Sequence, residues 1–183
     1  MQVTLKGEIV EVLGTQPVVG EKAPAFSLYN TEDEKVALDD LRGSVVLISV
    51  FPDINTSVCD KQTRKFNETA ADIEGLTLLS VSRNTKEELV NWCSANGIDM
   101  QMLHDDAGEF GESYGLKIPK MGNKLARSVF VIDKEGVLSY MEIVPEIATE
   151  PDEEAALAAA KKLLNQLRCS GALGALRIAD VAK

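Results

Sequence analysis

Three residues in the segment FPDINTSVCDKQTRKFN stand at a spacing that chemistry can use: Pro52, Thr56 and Cys59, in the order P-x-x-x-T-x-x-C. The segment follows an apolar, β-branched run and leads into a helical pattern, so Cys59 falls at the start of a helix. There the free backbone N–H groups and the macrodipole favour an anion, and a cysteine holds more of its thiolate, the reactive form. Thr56 lies three residues upstream, where its hydroxyl is expected to hydrogen-bond the sulfur or a bound peroxide oxygen, and Pro52 is expected to shield the loop from bulk water. A thiolate attacking an O–O bond also needs a cation for the negative charge of the leaving oxygen. Arginine suits this because it stays charged and offers several fixed donors. Arg127, opening the stretch RSVFVI, is the best candidate.

Taken singly, each residue has a plainer use. A lone cysteine at a helix start is more often a small buried hydrophobe. Proline and threonine at a strand-to-helix turn are ordinary turn and cap residues, and an arginine at a strand edge is more often a solvated charge. The combination points to thiol chemistry. His104 stands between Leu103 and Asp105 with no nearby cysteine or second histidine and reads as a surface or capped residue. Trp92, beside Cys93, reads as core or as a shield for that thiol.

Cysteine count and charge narrow the setting. Three cysteines, Cys59, Cys93 and Cys169, are too few and too odd in number for a secreted disulfide scaffold, and none are paired at zinc-ligand spacing. The 29 acidic against 19 basic residues give a formal charge of -10, which repels phosphate backbones and anionic lipid heads. Nucleic acid is a poor partner. The N-terminus, MQVTLKGEIVEV, lacks an apolar signal core, and no apolar run approaches the roughly 20 residues that span a bilayer. A cytoplasmic location without membrane contact is therefore expected, and neither a metal nor an organic cofactor is needed.

The elements that must position these residues follow from periodicity. Gln2 to Val12 alternates around Gly7, which predicts a hairpin, and Asp39 to Gly43 predicts a short helical turn. Ser44 to Phe51 (SVVLISVF) is continuously apolar, the pattern of a strand buried on both faces of a mostly parallel sheet. Cys59 to Ile73 carries Phe66 and Ala70 at helical spacing, and Leu76 to Val81 is a second apolar strand, so the three make a strand-helix-strand unit. Glu87 to Ala95 predicts a helix closed by Gly97. Arg127 to Ile132 and Gly136 to Ile143 predict an antiparallel pair across an Asp-Lys-Glu-Gly turn, and Pro151 to Arg168 predicts a final helix. The result is an α/β fold of one domain.

At this point the chain resembles the thiol peroxidase subfamily of the peroxiredoxins (atypical 2-Cys), from about Gln2 to Leu164. FPDINTSVCDKQTRKFN resembles the loop and helix of the attacking cysteine, with Cys59, Thr56 and Pro52 on the motif positions. NWCSANGI resembles the segment of the resolving cysteine, which would make Cys93 that residue. LARSVFVIDKEG resembles the strand with the active-site arginine, which falls on Arg127, and EIATEPDEEAAL is similar to the stretch that enters the last helix. The resemblance implies a thioredoxin-like fold with a mixed central sheet flanked by helices and an N-terminal β-hairpin. It also implies a homodimer that reduces hydrogen peroxide and alkyl hydroperoxides through a Cys59–Cys93 disulfide recycled by thioredoxin.

Two features depart from the subfamily. After LTLLSV its members usually continue Asp-Leu-Pro-Phe, whereas this chain reads Ser82-Arg83-Asn84-Thr85-Lys86. Residues 1–165 form the peroxiredoxin-like domain, and 166–183, with Cys169, extend past its usual end; Cys169 reads as a bystander. Rival functions on the same fold are a protein disulfide oxidoreductase, weakened by the lack of a C-x-x-C pair, and a thiol-based peroxide sensor, which reacts once where an enzyme cycles.

Overall fold

The structure, a computed structural model, describes residues 1–166. The centre is a seven-stranded mixed sheet in the order β11-β10-β5-β6-β7-β3-β4. Its heart is β5 (Val45–Val50), parallel to β6 (Leu76–Ser82), with β7 (Met102–His104) parallel beyond it. The remaining pairings are antiparallel: β10 (Ser128–Ile132) with β5, β11 (Leu138–Ile143) with β10, and β3 (Ser27–Asn30) with β7 and with β4 (Lys35–Ala37). All six residues of β5 are buried, as a strand covered on both faces requires.

Alternation along β5 divides the core in two. Val45 and Leu47 join Phe66, Ala70, Ala156 and Ala160, under α1 (Ser57–Ala70) and the helical residues 153–166, here α4. Val46, Ile48 and Val50 face the other way, onto Phe110, Tyr114 and the hairpin residues Val3 and Val10. That hairpin is β1 (Gln2–Leu5) with β2 (Glu8–Glu11), turned at Lys6 and Gly7, both at positive φ. Two consecutive left-handed residues match the twist of paired strands, and the second is the glycine that tolerates them best.

Helix α1 begins two residues earlier than its apolar spacing suggests, because Thr56 is extended (φ -92°, ψ 150°) and serves as the N-cap. Cys59 is therefore the third residue of the helix. It lies in phase with Gln62, Thr63, Phe66 and Ala70, the buried stripe that seats α1 on the sheet. The second helix, α2 (Lys86–Asn96), opens on a capping box between Thr85 and Glu88 and closes on left-handed Gly97. The final helix starts at residue 153, not at Pro151, which lies two residues ahead of it. Helix to Arg168, Cys169 and the C-terminal extension fall outside the described residues, apart from Gln166. Among the described residues no helix is long and apolar enough to cross a membrane.

Strands β3, β4 and β7, the short pair β8 (Lys117–Ile118) and β9 (Lys124–Leu125), and α3 (Glu109–Ser113) have no counterpart in the sequence reading. Each is at most five residues long, too short to display a period.

Candidate functional site

The site forms where β5 ends. Register sets it: Ser128 of β10 pairs with Val50 of β5, so Arg127, one residue before β10, arrives where β5 gives way to the Pro52–Thr56 loop. The strand-edge reading of Arg127 as a solvated charge does not hold, since only 2% of it is exposed. Its Nε donates to the Ile147 carbonyl at 2.7 Å, its Nη1 to Gln62 Oε1 at 2.7 Å, and its Nη2 to the Cys59 sulfur at 3.3 Å. Gln62 is fixed in turn, its Nε2 donating to Ser49 Oγ at 2.7 Å and to the Val50 carbonyl at 3.2 Å.

Among the described residues no carboxylate lies within 4.0 Å of the Arg127 guanidinium. A buried cation without an acidic partner is unfavourable, and charges in protein interiors are ordinarily paired. Of its three hydrogen-bond partners only Cys59, which is fully buried, can become an anion. A guanidinium placed there can donate to an oxygen that meets the sulfur and takes on negative charge.

The loop is equally constrained. Thr56 is exposed, and its Oγ1 donates to the Asp53 carbonyl at 2.8 Å, so the hydroxyl is held by the loop and not by the Cys59 sulfur. With its proton committed, Thr56 presents lone pairs to any O–H donor in front of the loop. Pro52, at the start of the loop, is buried. Burial works to raise the Asp53 carboxyl, but hydrogen bonds from Asn84, the Asn55 N–H and Lys124 outweigh it and hold the group at about 2. A folded value below the ordinary 3.8 means stability that is present above about 4 and lost as pH falls toward 2.

Cys93 stands in the last turn of α2, where its carbonyl accepts from Gly97 and Ile98 N–H groups. Its sulfur is free and half-buried, and it packs against the apolar cluster of Phe51, Ile54, Cys59, Leu89, Trp92 and Met102. Burial first, and then the charge of Asp99, push the Cys93 thiol up. The two cysteines thus share one cluster without being bonded.

Sequence reasoning missed what joins their helices. Asp60, next to Cys59, accepts from Trp92 Nε1, next to Cys93, at 2.7 Å and from Arg64 Nε at 2.9 Å. Arg64 lies over the Trp92 ring at 5.8 Å and donates to Asn96, which itself donates to the Trp92 carbonyl at 2.7 Å. The i,i+4 spacing of Asp60 with Arg64 and of Trp92 with Asn96 was there to be read, but not that the two pairs meet. His104 sits on β7 with its Nε2 buried, and no hydrogen-bond partner for it is found among the described residues. Among these residues, too, no group of three or more histidines, cysteines and carboxylates can hold a metal.

Comparison with known proteins fits this geometry. Residues 19–141 match the AhpC/TSA family. The chain is 45% identical over 163 residues to a thiol peroxidase of Listeria innocua, covering 88% of this chain and 98% of that one. It is 40% identical over 165 residues to a thiol peroxidase of Bacillus subtilis, covering 89% and 98%. A crystal structure of a peroxiredoxin-like protein from Aquifex aeolicus superposes with a TM-score of 0.84 at 32% identity, covering 88% of this chain and 96% of that one.

Proposed function

The chain belongs to the AhpC/TSA family and has a peroxiredoxin-like fold, and from that premise we propose a thiol peroxidase cycle run by Cys59 and closed by Cys93. The observation that carries it is the buried Arg127 guanidinium, which donates to the Cys59 sulfur and, among the described residues, has no carboxylate within 4.0 Å. The Cys59 thiolate attacks one oxygen of a hydroperoxide; the S–O bond forms as the O–O bond breaks. The leaving alkoxide or hydroxide takes a proton and departs as alcohol or water, and Cys59 becomes a sulfenic acid. Arg127 supports the anion on both sides of this step, and Thr56 offers its lone pairs to the O–H of the substrate. Cys93 then attacks the sulfenic sulfur, water leaves, and the disulfide is returned to two thiols by an external dithiol, for which thioredoxin is the candidate. Hydrogen peroxide and alkyl hydroperoxides are the proposed substrates, with the cytoplasm as setting and a homodimer as assembly.

Disulfide formation requires Cα atoms about 4.4–6.8 Å apart and correctly aimed side chains. Cys59 is fully buried in the first turn of α1, and Asp60 and Trp92, the residues beside the two cysteines, are bound to each other. We infer that this latch opens as the sulfurs join. Asp60→Ala removes it and is expected to speed conversion of sulfenic acid to disulfide by about three- to tenfold, the rate equivalent of a partly exposed charged hydrogen bond. Stopped-flow fluorescence of Trp92, the single tryptophan, checks this directly. An unchanged rate would mean that the latch is not part of the step.

The cycle is tested by peroxide consumption with thioredoxin and its reductase. The wild-type chain should turn over, whereas Cys93→Ser should react once and stop. Because the Cys93 thiol is pushed up, its reactive fraction at neutral pH is small and grows with pH. The disulfide-forming step in the wild type should therefore accelerate from pH 7 toward pH 9. Continued turnover by Cys93→Ser would remove Cys93 from the cycle, and would favour a direct reduction of the sulfenic acid.

A further inference from the structure

Asn84 lies two residues past the end of β6, within Ser82-Arg83-Asn84-Thr85-Lys86, and no step of the proposed cycle uses it. It is 8% exposed, and its side-chain amide fills all four of its hydrogen-bonding positions. Oδ1 accepts from the Ile54 N–H at 2.9 Å and from Ser82 Oγ at 3.0 Å. Nδ2 donates to Asp53 Oδ1 at 2.9 Å and to Glu88 Oε2 at 3.0 Å. Two of those four partners, Asp53 and Ile54, belong to the loop in front of Cys59.

From this geometry we propose that Asn84 is a positioning residue for peroxide reduction, holding the Pro52–Thr56 loop so that the Thr56 hydroxyl meets the substrate. The chain of contacts is short. Asn84 fixes Asp53 and Ile54, the Asp53 carbonyl receives both the Thr56 N–H at 3.1 Å and the Thr56 hydroxyl at 2.8 Å, and Thr56 stands at the N-cap position of the helix that carries Cys59, its carbonyl accepting from the Asp60 N–H at 3.0 Å. Ser82 Oγ also accepts from the Asn84 N–H at 3.2 Å, which locks the amide against the end of β6. Arg127 is held by a separate set of partners, Gln62 and the Ile147 carbonyl. Loss of Asn84 therefore disturbs the substrate side of the site while the guanidinium stays against the sulfur.

This inference rests on Cys59 being the attacking thiolate, and the test separates the two. Second-order rate constants for hydrogen peroxide are measured at pH 7 on the full chain, as wild type, Asn84→Ala and Asn84→Asp, beside the rate of Cys59 alkylation by iodoacetamide. Asn84→Ala is expected to slow peroxide reduction by about tenfold or more, as when a reacting group is displaced by a fraction of an ångström, with alkylation no slower than in the wild type. Asn84→Asp keeps the acceptor for Ile54 but sets a third carboxylate beside Asp53 and Glu88. It should fall between the wild type and Asn84→Ala, and it reads the effect if the alanine variant does not fold. Peroxide rates within twofold of wild type in the folded variants would overturn the proposal, as would equal losses in both reactions, which mark a general structural role. Failure of the wild-type chain to react with peroxide would instead overturn the reading of Cys59.

Discussion

Replacing Arg127 with glutamine is expected to slow peroxide reduction by about a hundredfold or more, the size of effect seen when one transition-state donor is removed. Glutamine keeps an amide donor but loses the charge and the fork that reaches Gln62, the Ile147 carbonyl and the Cys59 sulfur at once. Two effects then act together. The thiolate loses the cation beside it, and the oxygen leaving the O–O bond loses the group that accepts its charge. No change of pH replaces the lost donor, so much of the loss should persist at high pH. Rate constants for peroxide from pH 5 to 10 on both proteins check this. Near-native rates for Arg127→Gln at every pH would remove the guanidinium from the mechanism.

The second large effect is that of Cys59→Ser, which should abolish peroxide reduction. Serine is nearly isosteric and fits the same fully buried position, so α1 should keep its stripe of Gln62, Thr63 and Phe66 on the sheet. What disappears is the nucleophile: a serine hydroxyl stays protonated beside Arg127 and does not attack an O–O bond. Consumption of peroxide in the ferrous-xylenol orange assay should fall to the level of buffer, with the circular dichroism spectrum unchanged. Residual turnover above background would mean that another thiol reacts with peroxide on its own.

Much of this site could be read along the chain. Pro52, Thr56 and Cys59 lie within eight residues, and the strand before them announces itself because burial on both faces leaves no polar residue in Val45–Val50 except Ser49. Arg127 was legible as a candidate because it opens an equally apolar strand. Its burial was not, since that follows from the pairing of Ser128 with Val50, which links residues far apart in the chain. The same limit hid Gln62, Asn84 and Asp60. Gln62 looks like an ordinary polar residue of a helix until β5 is beneath it. Asn84 looks like part of a loop until the parallel register of β5 and β6 sets the end of β6 beside Asp53 and Ile54. Asp60 and Trp92 meet only because α1 and α2 follow successive parallel strands. Local patterning reveals elements and cysteines, whereas hydrogen-bonded partners are set by register.

The central claim is that the sulfur against Arg127 is the one that meets peroxide. The most direct measurement treats the reduced Cys93→Ser chain with one equivalent of hydrogen peroxide in the presence of dimedone and locates the adduct by peptide mass spectrometry. The account predicts one dimedone adduct per chain, on Cys59, and its near absence in Arg127→Gln at the same time point. An adduct on Cys169 with Cys59 left as a free thiol would contradict it.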